Sequence, residues 1–151
     1  MPRLFCFLSS IGANLIGEKY AHDIIGNFNN FCSTFCDWNL LHNEKGGPNH
    51  VGNLCDAPIM VDTQSGEIYV HDSYYYIGHF SKYVKSGAKR IGSSKWGTEI
   101  ETVSFKNPDG SIVSIVLNSA DNDLEFAFRL GDTFVKCLSE AHSIATYIFN
   151  P

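Results

Sequence analysis

From Gly17 to Cys36, in GEKYAHDIIGNFNNFCSTFC, the apolar residues Tyr20, Ile24, Phe28, Phe31 and Phe35 recur at offsets of three and four. That spacing draws one apolar stripe along a helix and predicts an amphipathic helix here, with Glu18 and Lys19 in its first turn. Gly26 weakens it by about 1 kcal/mol relative to alanine without breaking the stripe. The pattern then shortens. DWNLL (37–41) predicts a short buried strand, HNEKGGPN (42–49) a loop, and IMVDTQSGEIYV (59–70) a β-hairpin turning on TQSG. Gly46 and Gly47 permit positive φ, and Pro48 pushes the residue before it out of the helical region. HDSYYYIGHFSKYVKSG (71–87) predicts a second helix, with Tyr76, Phe80, Tyr83 and Val84 on one face. Asp72 or Ser73 offers its N-cap and Gly87 its C-cap.

Beyond Gly87 the period becomes two. TEIETVSF, GSIVSIVLN, DLEFAFRL, TFVKCLS and SIATYIF alternate β-branched or aromatic residues with polar ones, and KNPDG, SADND, LGD and EAH separate them as turns. Short strands at that spacing predict an antiparallel sandwich or meander. The change of texture at 86–92 suggests two units: residues 1–86 mix helix and strand, and 87–151 are all-β.

The bulk composition narrows the partners. With 151 residues, 44% hydrophobic and 18% charged, the chain suits one or two globular units. The net charge of −5 and the scattered Lys and Arg give no basic track for phosphates, so no nucleic-acid partner is expected. No apolar run reaches the length of a membrane span. The opening MPRLFCFLSSIGAN is compatible with a weak signal peptide, a buried strand or an artificial start. Aromatic residues make up 13%, enough for a sizeable core and for sugar-stacking surfaces alike. Five cysteines without CxxC spacing indicate no complete disulfide framework. Cys32 and Cys36 would share a helical face, but no second pair follows to complete a tetrahedral metal site.

The chemistry concentrates in DWNLLHNEKGGPNHVGNLCDAPI (37–59). A Trp38 face could stack on a pyranose while nearby Asn amides bind its hydroxyls; the pattern alone favours Trp38 as core. Asn53 reads equally as a turn former. Asp37, Glu44 and Asp56 are the nearby carboxylates, and no two of them read as the acid and nucleophile of a glycosidase. Cys36 or Cys55 with His42, His50, His71 or His79 would suit a thiol nucleophile, but no motif links them. His22 and His79 fall in helices and read as structural.

Taken together, GEKYAHDIIGNFNNF, DWNLLHNEKGGPNHVGNLCDAPIMVDTQSGEIY, SYYYIGHFSKYVKSGAKRIG, FKNPDGSIVSIVLN and AHSIATYIF resemble the C-terminal portion of the glucosylceramidases, the acid β-glucosidases of glycoside hydrolase family 30. The resemblance runs from about Gly17 to the end. It implies a C-terminal fragment of a (β/α)8 TIM barrel followed by an antiparallel β-sandwich, with DWNL as the last barrel strand and SYYYIGHFSKYV as the last barrel helix. It also implies that Trp38 and Asn53 line a glucose pocket, with Leu54 and Cys55 near its rim. The substrate would be glucosylceramide or another β-glucoside, with membrane-surface contact through the lipid, no cofactor or metal, and a lysosomal or secreted location. Oligomeric state stays open.

The departures matter as much. The family's two catalytic glutamates lie on strands upstream of the GEKY helix, so no catalytic residue is expected in this chain. NLIGEKY and STFC replace the usual lead-ins to the first helix and to Asp-Trp-Asn. A closed barrel needs about 250 residues, so an open sheet edge and bare apolar faces are expected, as is a sandwich short of its N-terminal strand. A non-catalytic β-sandwich module that binds carbohydrate or lipid is the alternative reading.

Overall fold

Strong alternation becomes strand wherever a partner strand can cover one face, and the second half of the chain follows that rule throughout. The computed structural model describes residues 15–52, 54–95 and 97–150, plus the backbone of 4–9. In chain order the elements are β1 (Leu4–Ser9), α1 (Leu15–Asn29), β2 (Leu41–Asn43), β3 (Ile59–Val61), β4 (Ile68–Val70) and α2 (Asp72–Tyr83). They continue with β5 (Lys89–Ile91), β6 (Ile100–Lys106), β7 (Ile112–Asn118), β8 (Leu124–Leu130), β9 (Thr133–Ser139) and β10 (Ser143–Phe149). The five predicted strands beyond residue 87 are β6 to β10, and the 59–70 hairpin is β3–β4.

A five-stranded antiparallel sheet runs in the order β1-β10-β7-β6-β5. Its two faces do different work. Val103, Phe105, Val113, Ile115, Leu117 and Ile144 point to one side and bury Ala21, Ile24 and Ile25 of α1 with Tyr76 and Phe80 of α2. Val116, Ala145, Tyr147 and Phe149 point to the other and receive Phe126, Phe128, Leu130 and Val135 from the β8–β9 hairpin. Phe128 stands edge-on to Tyr147 and Phe149, with centroids 5.0 and 5.1 Å away, a favourable geometry for the aromatic quadrupoles. A single sheet thus serves as the common wall of helices and hairpin.

The two helices differ in detail from the expected ones. The first stops at Asn29, well short of Cys36. Phe31 adopts φ 69°, the Phe31 N–H bonds the Phe28 carbonyl, and the Cys32 N–H bonds the Asn27 carbonyl at 3.0 Å. This is a left-handed C-terminal cap of the Schellman kind. Cys32 and Cys36 therefore lie beyond the helix rather than on one face of it. In α2 the N-cap is His71, with no side-chain cap bond, and the C-cap is Val84 rather than Gly87. Asn107 takes over at that end: it accepts from the Lys85 N–H and donates to the Tyr83 carbonyl, tying the helix to the β6–β7 turn.

DWNLL does not form the expected buried strand. The extended ladder begins only at Leu41, and β2 pairs in parallel with β3 through Leu41–Ile59, His42–Met60 and Asn43–Val61. At the other end of the chain, β1 lies antiparallel to β10, so the sandwich sheet has the N-terminal strand it was expected to lack, while β2 remains an edge of the small sheet β2-β3-β4. Of the signal-like opening only the backbone of 4–9 is described, and that backbone is β1; the remainder lies outside the described residues.

Two consequences can be measured. A Cβ on Gly17 would fall 2.7 Å from Cδ2 of buried Tyr76, whose hydroxyl is held by the His142 carbonyl. Gly17→Ala is therefore expected to destabilise by about 1–3 kcal/mol in urea unfolding, despite alanine's helix propensity. His79 is buried against β10, its Nδ1 2.7 Å from the Thr146 hydroxyl, and burial pulls its pKa down to about 4. The unfolded state then binds the extra proton between pH 6.5 and 4, so stability falls with pH across that window, by up to about 3 kcal/mol. His79→Phe is expected to flatten this acid limb in pH-resolved melts.

Candidate functional site

The polypeptide between β2 and β3 is held by turn and side-chain hydrogen bonds rather than by a sheet. Asn43 organises the turn: its Oδ1 accepts from the N–H groups of Lys45 and Gly47, both at 3.0 Å, as an Asx turn does. The Gly46 N–H bonds the Asn43 carbonyl at 2.9 Å, and Gly46 sits at φ 74°, where a Cβ would be strained. Its own carbonyl accepts from the Cys55 N–H at 3.0 Å. The Gly47–Pro48 peptide is cis.

His42 closes the arrangement from the other side. It is fully buried, and its Nδ1 lies 2.9 Å from the Cys55 carbonyl oxygen. A carbonyl only accepts, so Nδ1 carries the proton, and Nε2 accepts from Nδ2 of Asn39 at 2.7 Å. Cys55 is thereby strapped through both its N–H and its C=O to the turn after β2, while the same imidazole holds the residue next to Trp38. Upstream, the Tyr20 hydroxyl donates to Asp37; burial, followed by this carboxylate, raises the Tyr20 pKa to about 12. Trp38 thus stands between two side chains pinned from α1 and β2.

Trp38 itself is 66% exposed, so it is not the core residue its pattern favours. Leu54 is 65% exposed, and Cys55 is half-buried beside it. Asn53 lies outside the described residues. The structure brings Asn39, His42 and Cys55 into one hydrogen-bonded chain and leaves Trp38, Leu40, Val51 and Leu54 as exposed apolar side chains around it. The sequence pattern puts His42 at the start of a loop and among four histidines that no motif links to a thiol; the structure places it in β2, fully buried. Its described bond to Cys55 reaches the main-chain carbonyl, which gives no support to a thiol–imidazole pair.

The carboxylates nearby are engaged elsewhere. Glu44 accepts from the Thr63 N–H at 3.0 Å, and such donors hold its carboxyl below the usual range. Asp56 accepts from its neighbour Ala57 and pairs with His71 at 3.0 Å. No cluster of metal-ligating side chains occurs among the described residues.

A short parallel β2–β3 pair lying between two helices in the chain, followed by an antiparallel sheet and hairpin, defines an α/β unit with an appended β-domain. Comparison with known proteins gives the family. The model of the glycosyl hydrolase family 30 TIM-barrel domain matches residues 9–84, and that of the family 30 beta sandwich domain matches residues 87–147. The chain belongs to glycosyl hydrolase family 30. It is similar to the lysosomal acid glucosylceramidase of Mus musculus, 38% identical over 135 residues that cover 88% of this chain and 26% of that protein. The crystal structure of SrfJ from Salmonella typhimurium superposes with a TM-score of 0.87 at 39% identity, covering 95% of this chain and 33% of that one. The endo-beta1,6-glucanase BT3312, at 24% identity and a TM-score of 0.81, shares the fold. The chain thus spans about a quarter to a third of the length of these relatives.

The strap at Cys55 rests on Gly46. A Cβ there would meet the Cys55 carbonyl oxygen at 2.6 Å and its nitrogen at 2.9 Å, both backbone atoms that cannot rotate away. Gly46→Ala is expected to release the 54–56 segment, seen as faster amide exchange at Cys55. It should also lose about 1–3 kcal/mol from left-handed strain and the clash together.

Proposed function

We propose that this chain is the C-terminal part of a glucosylceramidase-type retaining β-glucosidase, and that it supplies one wall of the glucose site. Trp38 would stack its face on the apolar side of the sugar ring, while Asn53 would hydrogen-bond a hydroxyl from the loop that ends at the Cys55 strap. Leu54 and Cys55 would form the rim. The observation that carries this reading is the large exposed indole of Trp38, set beside a loop immobilised from both sides. Exposure on that scale is unusual for tryptophan and suits a ligand platform.

The reaction in the complete enzyme would be hydrolysis of the β-glucosidic bond of glucosylceramide or a related β-glucoside through a glycosyl-enzyme intermediate. That chemistry needs an acid/base carboxyl and a nucleophilic carboxylate about 5–5.5 Å apart. The carboxylates around Trp38 are committed to Tyr20, to turns and to His71, so both catalytic groups would come from barrel strands outside these residues. A lysosomal setting and membrane contact through the lipid follow from the same reading; no helix among the described residues is long and apolar enough to cross a membrane.

A second reading is favoured by one observation. The helices and the sheet share a continuous buried cluster. A self-supporting unit of this kind could act as a non-catalytic carbohydrate- or lipid-binding module.

The purified chain is expected to leave a fluorogenic β-glucoside unhydrolysed at pH 5. Turnover that disappears in Trp38→Ala would overturn the assignment of catalysis to residues elsewhere. Binding of the same glucoside, followed by ligand-observed NMR, should be lost in Trp38→Ala. Undiminished binding in that variant would remove Trp38 from the sugar wall.

A further inference from the structure

Four histidine–carboxylate pairs, made by three histidines, are present among the described residues, and two of them cross between helix α1 and the β-sandwich. Glu18 and His22 lie four residues apart, on one face of α1. His22 Nδ1 lies 2.9 Å from both carboxylate oxygens of Glu101, at the start of β6. Glu18 reaches the β9–β10 turn, where His142 Nδ1 is 2.8 Å from its Oε1. The other ring nitrogen of His142 lies 2.9 Å from Oδ1 of Asp121, in the β7–β8 turn. One imidazole therefore joins the helix to two separate turns of the sandwich.

Proton counting at His142 is decisive. A carboxylate oxygen only accepts, so two carboxylate contacts require two N–H donors. Neutral imidazole has one N–H and one lone pair, and the lone pair would face a negative oxygen. Only imidazolium satisfies both contacts. The site is also committed geometrically: His142 holds φ 51°, its carbonyl accepts from the Tyr76 hydroxyl, and the Glu18 side chain is only 9% exposed. A buried carboxylate of this kind is costly to leave without a donor.

We propose that Glu18–His142–Asp121 and His22–Glu101 form an acid-strengthened clamp that locks helix α1 onto the β-sandwich below neutral pH and loosens above it.

The surroundings agree. The charged groups that meet the His142 ring are Glu18 from α1 and Asp121 from the β7–β8 turn; the Tyr76 hydroxyl of α2, near Glu18 and Asp72, bonds its carbonyl, and Asp123 and Glu140 are the neighbouring carboxylates of the two turns. Asp123 accepts from the Ala141 N–H, which keeps it at the turn. His22 faces Glu101 from β6 and Asp23 from its own helix; Lys95 bonds the Ile100 carbonyl next to Glu101. The pKa of His142 is raised, first by the Asp121 contact and then by Glu18, and that of His22 is raised chiefly by Glu101. With folded pKa values above the unfolded value near 6.5, the stabilisation is fully present below pH 6.5. It is lost as pH rises through the folded values. His79 acts oppositely in the acid range, so the total stability hides the clamp. A difference between the wild type and a variant that keeps His79 isolates it.

The test uses the full chain. Asparagine accepts left-handed backbone, so His142→Asn removes the His142 half of the clamp with least strain and leaves His22–Glu101 in place. The Tm gap between wild type and this variant is expected to be a few degrees at pH 5 and to close by pH 8. A gap that stays constant from pH 5 to 8 overturns the proposal. NMR titration of the His142 ring protons in the wild-type chain gives a second readout that needs no variant. A midpoint above 6.5 that falls on Glu18→Gln supports the clamp, whereas a midpoint at or below 6.5 rejects it.

Discussion

The packing of Tyr76 holds the two halves of this molecule together. Its ring lies against Gly17 of α1, its hydroxyl bonds the β9–β10 turn, and it belongs to the cluster that α1, α2 and the five-stranded sheet share. Burial raises its pKa to about 12, so the hydroxyl remains a donor throughout the physiological range. Side chains of this size contribute a large share of core energetics through the apolar area they remove from water. Because helix, helix and sheet meet at one residue, none of the three can shift independently. Everything that stands on α1, including the Tyr20–Asp37 contact before Trp38, inherits its position from that junction.

Much of the architecture was legible because two periodicities are written plainly. The period-two segments after residue 87 became β6 to β10, where each strand could pair with a neighbour and bury alternate residues. The stripe Tyr20, Ile24 and Phe28 became the buried side of α1. The end of that helix was not legible, since Phe31 and Phe35 continue the spacing. A left-handed cap at a phenylalanine has no sequence signal, whereas glycine there would have announced it. The same holds at α2, where Asp72 and Ser73 carried the propensity to cap but His71 occupies the position.

The stretch from Trp38 to Cys55 reads backwards from its hydrophobicity. Trp38, Leu40 and Leu41 are exposed while His42 is buried, the opposite of what residue type alone dictates. The reason is local. His42 can satisfy both ring nitrogens on Asn39 and the Cys55 carbonyl, so its burial leaves no polar atom stranded. Asn43 and Gly46 carried real signals, as turn chemistry often does. The link from His42 across to Cys55 joins residues on either side of a loop, which periodicity cannot see. Family resemblance is what drew attention to this stretch, and the structure supplies the bonds that hold it.

The placement of β10 carries a consequence for how the chain assembles. Its partner β7 follows a short connection through the β8–β9 hairpin, but its other partner, β1, lies at the opposite end of the sequence. Closing the short loops costs little entropy, and a hairpin forms in microseconds. Joining the two termini requires nearly the whole chain to be ordered in between. Loop-closure cost rises with the length of chain enclosed, so the β1–β10 pairing carries the largest closure entropy of the strand pairs in this sheet. β1 gains main-chain hydrogen bonds along an edge of β10 whose other side β7 already orders.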